Sequence, residues 1–159
     1  MRKWFTCLFA GLWLFAVQSA TAQCSFTGFG LKIENITATQ GQQVCLDVST
    51  QNFTNILGMQ YSIHYNQAAL TFNNVASITL PGLSAASFGT PQPGRITMTW
   101  NDPNVVGINL PNGSVIYELC FTVTGNTTST VSFANTPTSI EILDNNLNEI
   151  PFNSCAGTV

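Results

Sequence analysis

Residues 58–72 read Gly-Met-Gln-Tyr-Ser-Ile-His-Tyr-Asn-Gln-Ala-Ala-Leu-Thr-Phe, and the first part of this stretch alternates strictly between two kinds of side chain. One parity is apolar or aromatic and the other is polar: Met59, Tyr61, Ile63 and Tyr65 against Gln60, Ser62, His64 and Asn66. A period of two is typical of a strand with one face in a core and the other in water. We therefore predict a strand whose outward row, which contains the only histidine of the chain, faces water and is the first candidate if the protein binds through the face of a sheet.

Short alternating segments of the same kind recur along the chain, separated by turn residues. They lie at 31–36, 44–48, 95–100 and 115–123, and further strands are predicted from Leu70, at 131–133 and from Ile150 onward; residues 140–143 either extend the strand at 131–133 or follow it. Residues 77–94 read as loops around one short strand, and Val159 is expected to cut the last strand short. No segment keeps a helical period over three turns. Roughly nine short strands with turns between them indicate an all-β fold, a nine-stranded antiparallel β-sandwich.

The first 22 residues have the pattern of a secretory signal peptide. Arg2 and Lys3 form a positive start, residues 4–17 are an apolar run, and Ala20-Thr21-Ala22 offers a cleavage site. The apolar run is too short to span a membrane. We expect residues 1–22 to be removed and residues 23–159 to form a single exported domain. Attachment to the cell surface, through sequence downstream of Val159, is left open.

Charge narrows the class of partner. Without Arg2 and Lys3 the chain keeps two basic residues, Lys32 and Arg95, against seven acidic ones, for a net charge of −5. Two cations cannot neutralise a nucleic-acid backbone, so nucleic-acid binding is excluded. An acidic surface rich in Thr, Asn and Gln suits an extracellular protein that meets neutral partners.

Cys24, Cys45, Cys120 and Cys155 remain after removal of the signal peptide. An even number of cysteines in an exported chain predicts disulfides, for which the count alone allows three connectivities. No pair has the Cys-x-x-Cys spacing, and His64 is not near a cysteine in sequence, so we expect no zinc site and no cofactor.

Catalytic groups are scarce. One histidine, no Gly-x-Ser-x-Gly elbow and oxidised cysteines leave no nucleophile–base pair. A glycosidase needs a pair of carboxylates in a cleft. The candidates for such a pair are Asp102, Glu118, Asp144 and Glu149, but none lies in a stretch that indicates a cleft. We therefore predict that the chain is not an enzyme.

Several residues keep two interpretations. His64 is either a partner contact or a solvated strand residue. Trp100 could stack on a sugar, but its parity with Ile96 and Met98 favours the core, leaving Phe53 and Phe88 as loop aromatics for a rim site. Residues 144–149 carry oxygen ligands for calcium; they lack the central glycine of an EF-hand, and Asp and Asn favour a hairpin turn there.

Five segments, taken together and in this order, resemble cohesin modules, which are nine-stranded jelly-roll sandwiches related to cellulose-binding domains. They are Gly-x-x-Val-x-Leu-x-Val at 41–48, the strand at 58–66, Leu-Thr-Phe at 70–72, Gly-Arg-Ile-Thr-Met-Thr-Trp at 94–100 and Gly-Ser-Val-Ile-Tyr-Glu-Leu-Cys-Phe-Thr-Val-Thr-Gly at 113–125. The resemblance covers about residues 31–159.

The resemblance implies a receptor rather than a catalyst. In such modules the sheet that holds the third, fifth, sixth and eighth strands docks a dockerin-type module of an enzyme. Carried over by position, that face consists of Gln60, Ser62, His64, Asn66, Arg95, Thr97, Thr99, Asn101 and Ser132. Family members with a known partner often have Asp where this chain has Asn66.

The resemblance also implies a disulfide pairing. The second strand of the family neighbours the seventh, which pairs Cys45 with Cys120, and the first strand neighbours the last, which leaves Cys24 for Cys155. The function implied is a secreted, non-catalytic docking module of a cell-surface or polysaccharide-degrading scaffold. Two alternatives remain open: a carbohydrate-binding module with a polysaccharide partner, and a passive structural module of a modular surface adhesin.

Overall fold

The computed structural model describes residues 24–159, so the predicted signal peptide at 1–22 lies outside the described residues. Two β-sheets pack face to face, and a single 3-10 turn, Ala85–Ser87, interrupts the strands. Within the described part of the chain no helix is long and apolar enough to cross a membrane. The predicted fold class, an all-β sandwich, is confirmed.

Twelve strands follow one another in chain order. They are β1 Gly30–Ile33, β2 Gln43–Gln51, β3 Phe53–His64, β4 Leu70–Ala76, β5 Phe88–Gln92, β6 Arg95–Asn101, β7 Ile108–Leu110, β8 Val115–Val123, β9 Thr130–Ala134, β10 Glu141–Asp144, β11 Asn153–Cys155 and β12 Gly157–Thr158. The five-stranded sheet has the order β11-β1-β2-β8-β4, and the seven-stranded sheet has the order β12-β9-β3-β6-β5, with β7 and β10 also paired to β3. Pairing is antiparallel except between β1 and β11, which run parallel.

The strand count exceeds the nine predicted for two reasons: the predicted last strand is two short strands, β11 and β12, and β3 is too long for one partner on each side, so that β7 and β10 also pair with it. β3 runs for 12 residues. On one edge β6 pairs with its second half and β7 with its first. On the opposite edge β9 pairs with its last residues and β10 with its middle. β3 is therefore the central strand of the seven-stranded sheet.

The alternating residues meet between the sheets as predicted. From the seven-stranded sheet, Met59, Tyr61, Ile63, Ile96, Met98 and Trp100 are all buried, and from the five-stranded sheet, Leu31, Ile33, Leu46, Val48, Leu119 and Phe121 are buried. The indole N–H of Trp100 donates to the carbonyl of Pro81 at 2.8 Å, so this ring is satisfied inside the core. The core placement of Trp100 is confirmed.

Two disulfides fasten the five-stranded sheet. Cys45 of β2 stands opposite Cys120 of β8 in the register and is bonded to it. Cys24 is bonded to Cys155 of β11, which ties the first described residue to the edge strand. These are the two pairs that the resemblance implied.

Candidate functional site

The outer face of the seven-stranded sheet is built on the ladder between β3 and β6. Because the intervening residues are buried, the polar rows of both strands point away from the core. The register sets Gln60 opposite Thr99, Ser62 opposite Thr97 and His64 opposite Arg95. Two rows that lie about 35 residues apart in sequence thereby form one surface.

Half of the predicted outward row of β3 is covered, which corrects the expectation of an open face. Ser62 is fully buried, because its hydroxyl donates to the carbonyl of Thr138 at 2.9 Å and accepts from the N–H of Thr138 at 2.8 Å. His64 is half-buried, and its Nε2 donates to the carbonyl of Thr136 at 2.6 Å. The connection between β9 and β10, residues 135–140, therefore lies over this end of the face.

The position of Asn66 also differs from the prediction. β3 ends at His64, so Asn66 is not in the outer row but opens the turn that follows. Its side-chain oxygen accepts from the N–H of Ala68 at 3.0 Å, which is the turn chemistry that Asn favours. Ser132 of β9 pairs with His64 and is half-buried, at the covered end of the face.

The open end of the face lies at the other end of the β3–β6 ladder. Thr99 and Asn101 of β6 are exposed, and Gln60 beside them is half-buried. Arg95 and Thr97 are also half-buried, with Arg95 Nη1 donating to the carbonyl of Gly94 at 2.8 Å. Of the nine predicted face residues, Thr99, Asn101 and Asn66 are exposed, but Asn66 lies in the turn after β3, so Thr99 and Asn101 with the adjoining Gln60 form the open end of the face.

β10 contributes two residues that the sequence analysis did not place on this face. Glu141 stands opposite Gln60, and the amide Nε2 of Gln60 donates to its carboxylate at 3.1 Å. Leu143 stands opposite Gly58, and a depression of about 190 Å³ lies over Gly58 between β6 and β10. The alternation at 140–143 predicted a strand, but nothing local to it identifies β3 as its neighbour.

Two turns centred on carboxylates lie beside the open end. Asp102 is 2 % exposed, and its carboxylate accepts from the N–H groups of Asn104, Val106 and Gly107 at 2.9–3.0 Å. Asp144 accepts in the same way from Asn146 and Asn148. The N–H of Asn145 donates to the carbonyl of Asn55, and a Cβ built on Gly107 would lie 3.0 Å from Cβ of Asn145, so the two turns are in contact.

These turns carry the three large apolar side chains that are exposed within residues 24–159: Val105, Val106 and Leu147. Val105 and Leu147 have φ of 55° and 64°, a backbone region that β-branched and bulky residues rarely enter. Such strain is typical of functional positions and is maintained here by the hydrogen bonds to the two carboxylates. Residues 144–149 form the hairpin-type turn that the sequence favoured over a calcium loop.

We expect D102N to lower stability at neutral pH and to have much less effect in acid. The N–H of Asn104, with those of Val106 and Gly107, keeps the pKa of Asp102 below its usual value against the opposing effect of burial. A carboxyl whose pKa is lower in the folded than in the unfolded protein stabilises the fold. This contribution is complete at pH values above the pKa in the unfolded state, about 3.9, and is lost as the pH falls through the lower pKa of the folded state. Urea denaturation at pH 7 and at pH 2 measures the difference between variant and wild type.

E149Q is the matched control for D102N, because Glu149 is exposed at the neighbouring turn. We expect its urea midpoint to stay close to that of the wild type at both pH values. An equal loss for D102N at pH 7 and pH 2 would show that the ionised carboxylate does not organise the turn.

Two of the four carboxylates considered for glycosidase chemistry, Asp102 and Asp144, hold turns together by accepting backbone hydrogen bonds. Backbone N–H groups, that of Asn148 foremost, hold the pKa of Asp144 below its usual value, as those above do for Asp102. A general acid needs the opposite shift. Glu118 lies on β8 in the other sheet, where its carboxylate is close to the sulfurs of Cys45 and Cys120; both sulfurs are bonded to each other, so they are not thiolate ligands for a metal.

The two aromatics expected at a rim site are strand residues instead. Phe53 is fully buried in β3, with its ring centroid 5.6 Å from that of Phe29, and Phe88 is half-buried in β5 against Tyr117 at 5.0 Å. Every aromatic side chain within residues 24–159 is buried or half-buried. Stacking on a sugar needs a free ring face, and no aromatic side chain within residues 24–159 is exposed.

Comparison with known proteins gives one family. The family model described as "Cohesin domain" matches residues 29–159. Among curated proteins, no sequence matches this chain.

Three solved structures illustrate the similarity in fold. The sixth cohesin from scaffoldin B of Acetivibrio cellulolyticus, solved with a dockerin, is 18 % identical with a TM-score of 0.70, over 84 % of this chain and 98 % of that chain. A type I cohesin–dockerin complex from Clostridium thermocellum gives 18 % and 0.68, over 83 % and 97 %. A non-cellulosomal cohesin from the archaeon Archaeoglobus fulgidus gives 20 % and 0.66, over 82 % and 88 %.

Proposed function

Because this chain belongs to the cohesin domain family, we propose that it is a non-catalytic docking module, which binds a dockerin-type protein module through the outer face of its seven-stranded sheet. Dockerins are the partners in two of the similar structures described above. The partner assignment comes from those structures, and the surface assignment comes from the residues of this chain.

The observation that carries the surface assignment is the composition of the open end of the face. Neutral polar groups on Gln60, Thr99 and Asn101 adjoin the turns that expose Val105 and Leu147. Single exposed apolar residues are ordinary, whereas apolar residues grouped beside a polar surface favour a protein interaction site. A partner that covers this end buries apolar area and finds hydrogen-bonding groups at the same time.

The covered end of the face changes what a partner can touch. Ser62 is unavailable under the β9–β10 connection, and the ring of His64 is bonded to it. We infer that a partner at this end contacts the connection itself, whose Asn135, Thr136 and Pro137 are exposed. The footprint therefore centres on β6 and β10 rather than on the row of β3.

We also propose that the protein acts outside the cell. The signal-peptide pattern of residues 1–22 supports export, and the two disulfides suit an oxidising compartment. Of the alternative functions, carbohydrate binding has no exposed aromatic in its favour within residues 24–159. A passive structural role is the outcome to accept if no protein partner binds.

The test is titration calorimetry of the oxidised protein with dockerin modules of the source organism. We expect binding by the wild type and a Kd raised about tenfold or more for the double variant Q60A/T99A, which equals about 1.4 kcal/mol. These two residues form a cross-strand pair on the open end, so their truncation removes contacts at one place.

The matched control is Q43A/T71A, which makes the same two substitutions on the five-stranded sheet. Gln43 and Thr71 are exposed and flank Thr122 of β8 on its two sides. We expect this variant to bind as the wild type does. Equal losses in the two variants would exclude the proposed face, and absence of binding to all the dockerins would overturn the docking function.

A further inference from the structure

The depression over Gly58 is a built feature of the open end. It holds about 190 Å³, and its lining includes Gly58, Gln60, Thr99, Asn101, Glu141 and Leu143. This volume is several times the space that one water needs, so the end of a side chain can enter the depression. The depression lies at the centre of the group of residues proposed above to meet a partner.

Gly58 keeps the depression open by having no side chain. Its backbone is not among the left-handed glycines of the chain, so the strand conformation itself does not require glycine. A Cβ at this position would lie 2.6 Å from the side-chain oxygen of Asn101. The glycine therefore makes room for the Asn101 amide and for the hollow beside it.

The charge in the depression is unbalanced. Glu141 is half-buried, and the single hydrogen bond to its carboxylate comes from the neutral amide of Gln60, at 3.1 Å. Two cationic side chains occur within residues 24–159. Lys32 is on β1 of the other sheet, and Arg95 stands opposite His64, four positions from Gln60 and so roughly 13 Å along the strand. Glu141 thus has no cation of its own sheet within reach.

We propose that this depression receives a lysine or arginine side chain of the docking partner, whose cationic group pairs with the carboxylate of Glu141. The inference rests on the proposed docking function and names the chemistry of the partner. The oxygens of Asn101 and Thr99 accept the remaining N–H groups of the incoming side chain, so that its charge is fully hydrogen-bonded. Arginine fits better than lysine, because its planar group has five donors for a half-buried site with several acceptors.

The first arm of the test uses small probes and needs no partner protein. Nitrogen-15-labelled protein is titrated with N-acetyl-arginine amide and, separately, with N-acetyl-citrulline amide, the neutral analogue of the same shape. We expect saturable shifts of the amide signals of Gly58, Gln60 and Asn101 with the arginine probe and none with the citrulline probe. Equal shifts with both probes would overturn the proposal.

Two variants locate the effect. E141Q should weaken arginine binding about tenfold, while E149Q, the same change outside the depression, should not. G58A fills the floor of the depression and should also abolish the shifts; its fold is verified by circular dichroism, and E141Q decides the matter if G58A does not fold. Unchanged arginine binding in E141Q would overturn the proposal.

The second arm measures dockerin binding to the same variants and separates the two hypotheses. A tenfold loss in E141Q, matched by replacing one partner lysine or arginine with methionine, supports the inference. Arginine shifts without binding to any dockerin would reject the docking function and keep the cation site. Dockerin binding that is indifferent to E141Q, together with no arginine shifts, would reject the cation site and keep the docking function.

Discussion

Replacing Cys45 and Cys120 with alanine is expected to lower the free energy of unfolding by about 4 kcal/mol. The bond closes a loop of 75 residues between the central strands of the five-stranded sheet. Cys45 is exposed, so alanine there removes little packing, whereas alanine at the buried Cys120 also loses some contacts. The main part of the loss comes from the unfolded chain, whose conformational entropy rises without the cross-link.

Urea denaturation of the wild type and of C45A/C120A measures this effect. The comparison variant is C24A/C155A, whose bond spans 131 residues. Because the entropy of loop closure grows only with the logarithm of loop length, the two losses should agree within about 1 kcal/mol. A loss below about 1 kcal/mol for C45A/C120A would show that this bond does not constrain the unfolded chain as the loop model states.

The expected effect of the disulfides bears on where the protein works. Folded domains have only about 5–15 kcal/mol of stability, so two bonds of this size are a large share of it. A reducing cytosol would remove that share. Loss of cooperative unfolding in dithiothreitol would agree with a protein made for an oxidising compartment.

Y61F and Y117F are each expected to lower stability by about 1–3 kcal/mol, and the double variant Y61F/Y117F by clearly less than the sum. The two hydroxyls are hydrogen-bonded at 2.8 Å, and both side chains are fully buried. Tyr61 is on β3 and Tyr117 is on β8, so this bond joins the two sheets through the core. Burial also raises the pKa of both phenols, which keeps them neutral.

The double variant is expected to lose less than the sum of the two single variants because of desolvation. A single Tyr→Phe change leaves the partner hydroxyl buried without its hydrogen bond, whereas the double change replaces both polar groups with apolar ones of nearly the same shape. A double-mutant cycle in urea gives the coupling energy. Y65F is the control, since Tyr65 is half-buried, and we expect it to cost less than about 0.5 kcal/mol. Simple additivity of Y61F and Y117F would contradict the interpretation.

The sequence was sufficient to predict which side chains of the central strand β3 point into the core. Tyr61 and Ile63 lie in the core because a strand turns successive side chains to opposite faces, whatever the rest of the chain does. The same local rule placed Trp100 inside. The family resemblance implied the pairing of Cys45 with Cys120, because neighbouring strands of a known topology bring their residues together.

The surroundings of the outward-pointing side chains of β3 could not be predicted in the same way. The alternation along the strand predicts that Ser62 and His64 point away from the core, but it does not predict which residues cover them. Residues 135–140, more than 70 positions away in sequence, form this cover. Asn66 is not in the outward row, because β3 ends two residues earlier and turn hydrogen bonds replace the strand pairing there.

The sequence by itself determined the class of the fold. The period of two is a property of the strand backbone, so each strand shows the alternation independently of the other strands. The tertiary structure alone decided which part of the outer face is accessible and that Glu141 stands beside Gln60 over the space left by Gly58. The reason is physical: strand pairing and loop packing join residues that are distant in the chain, and no local pattern specifies the partner.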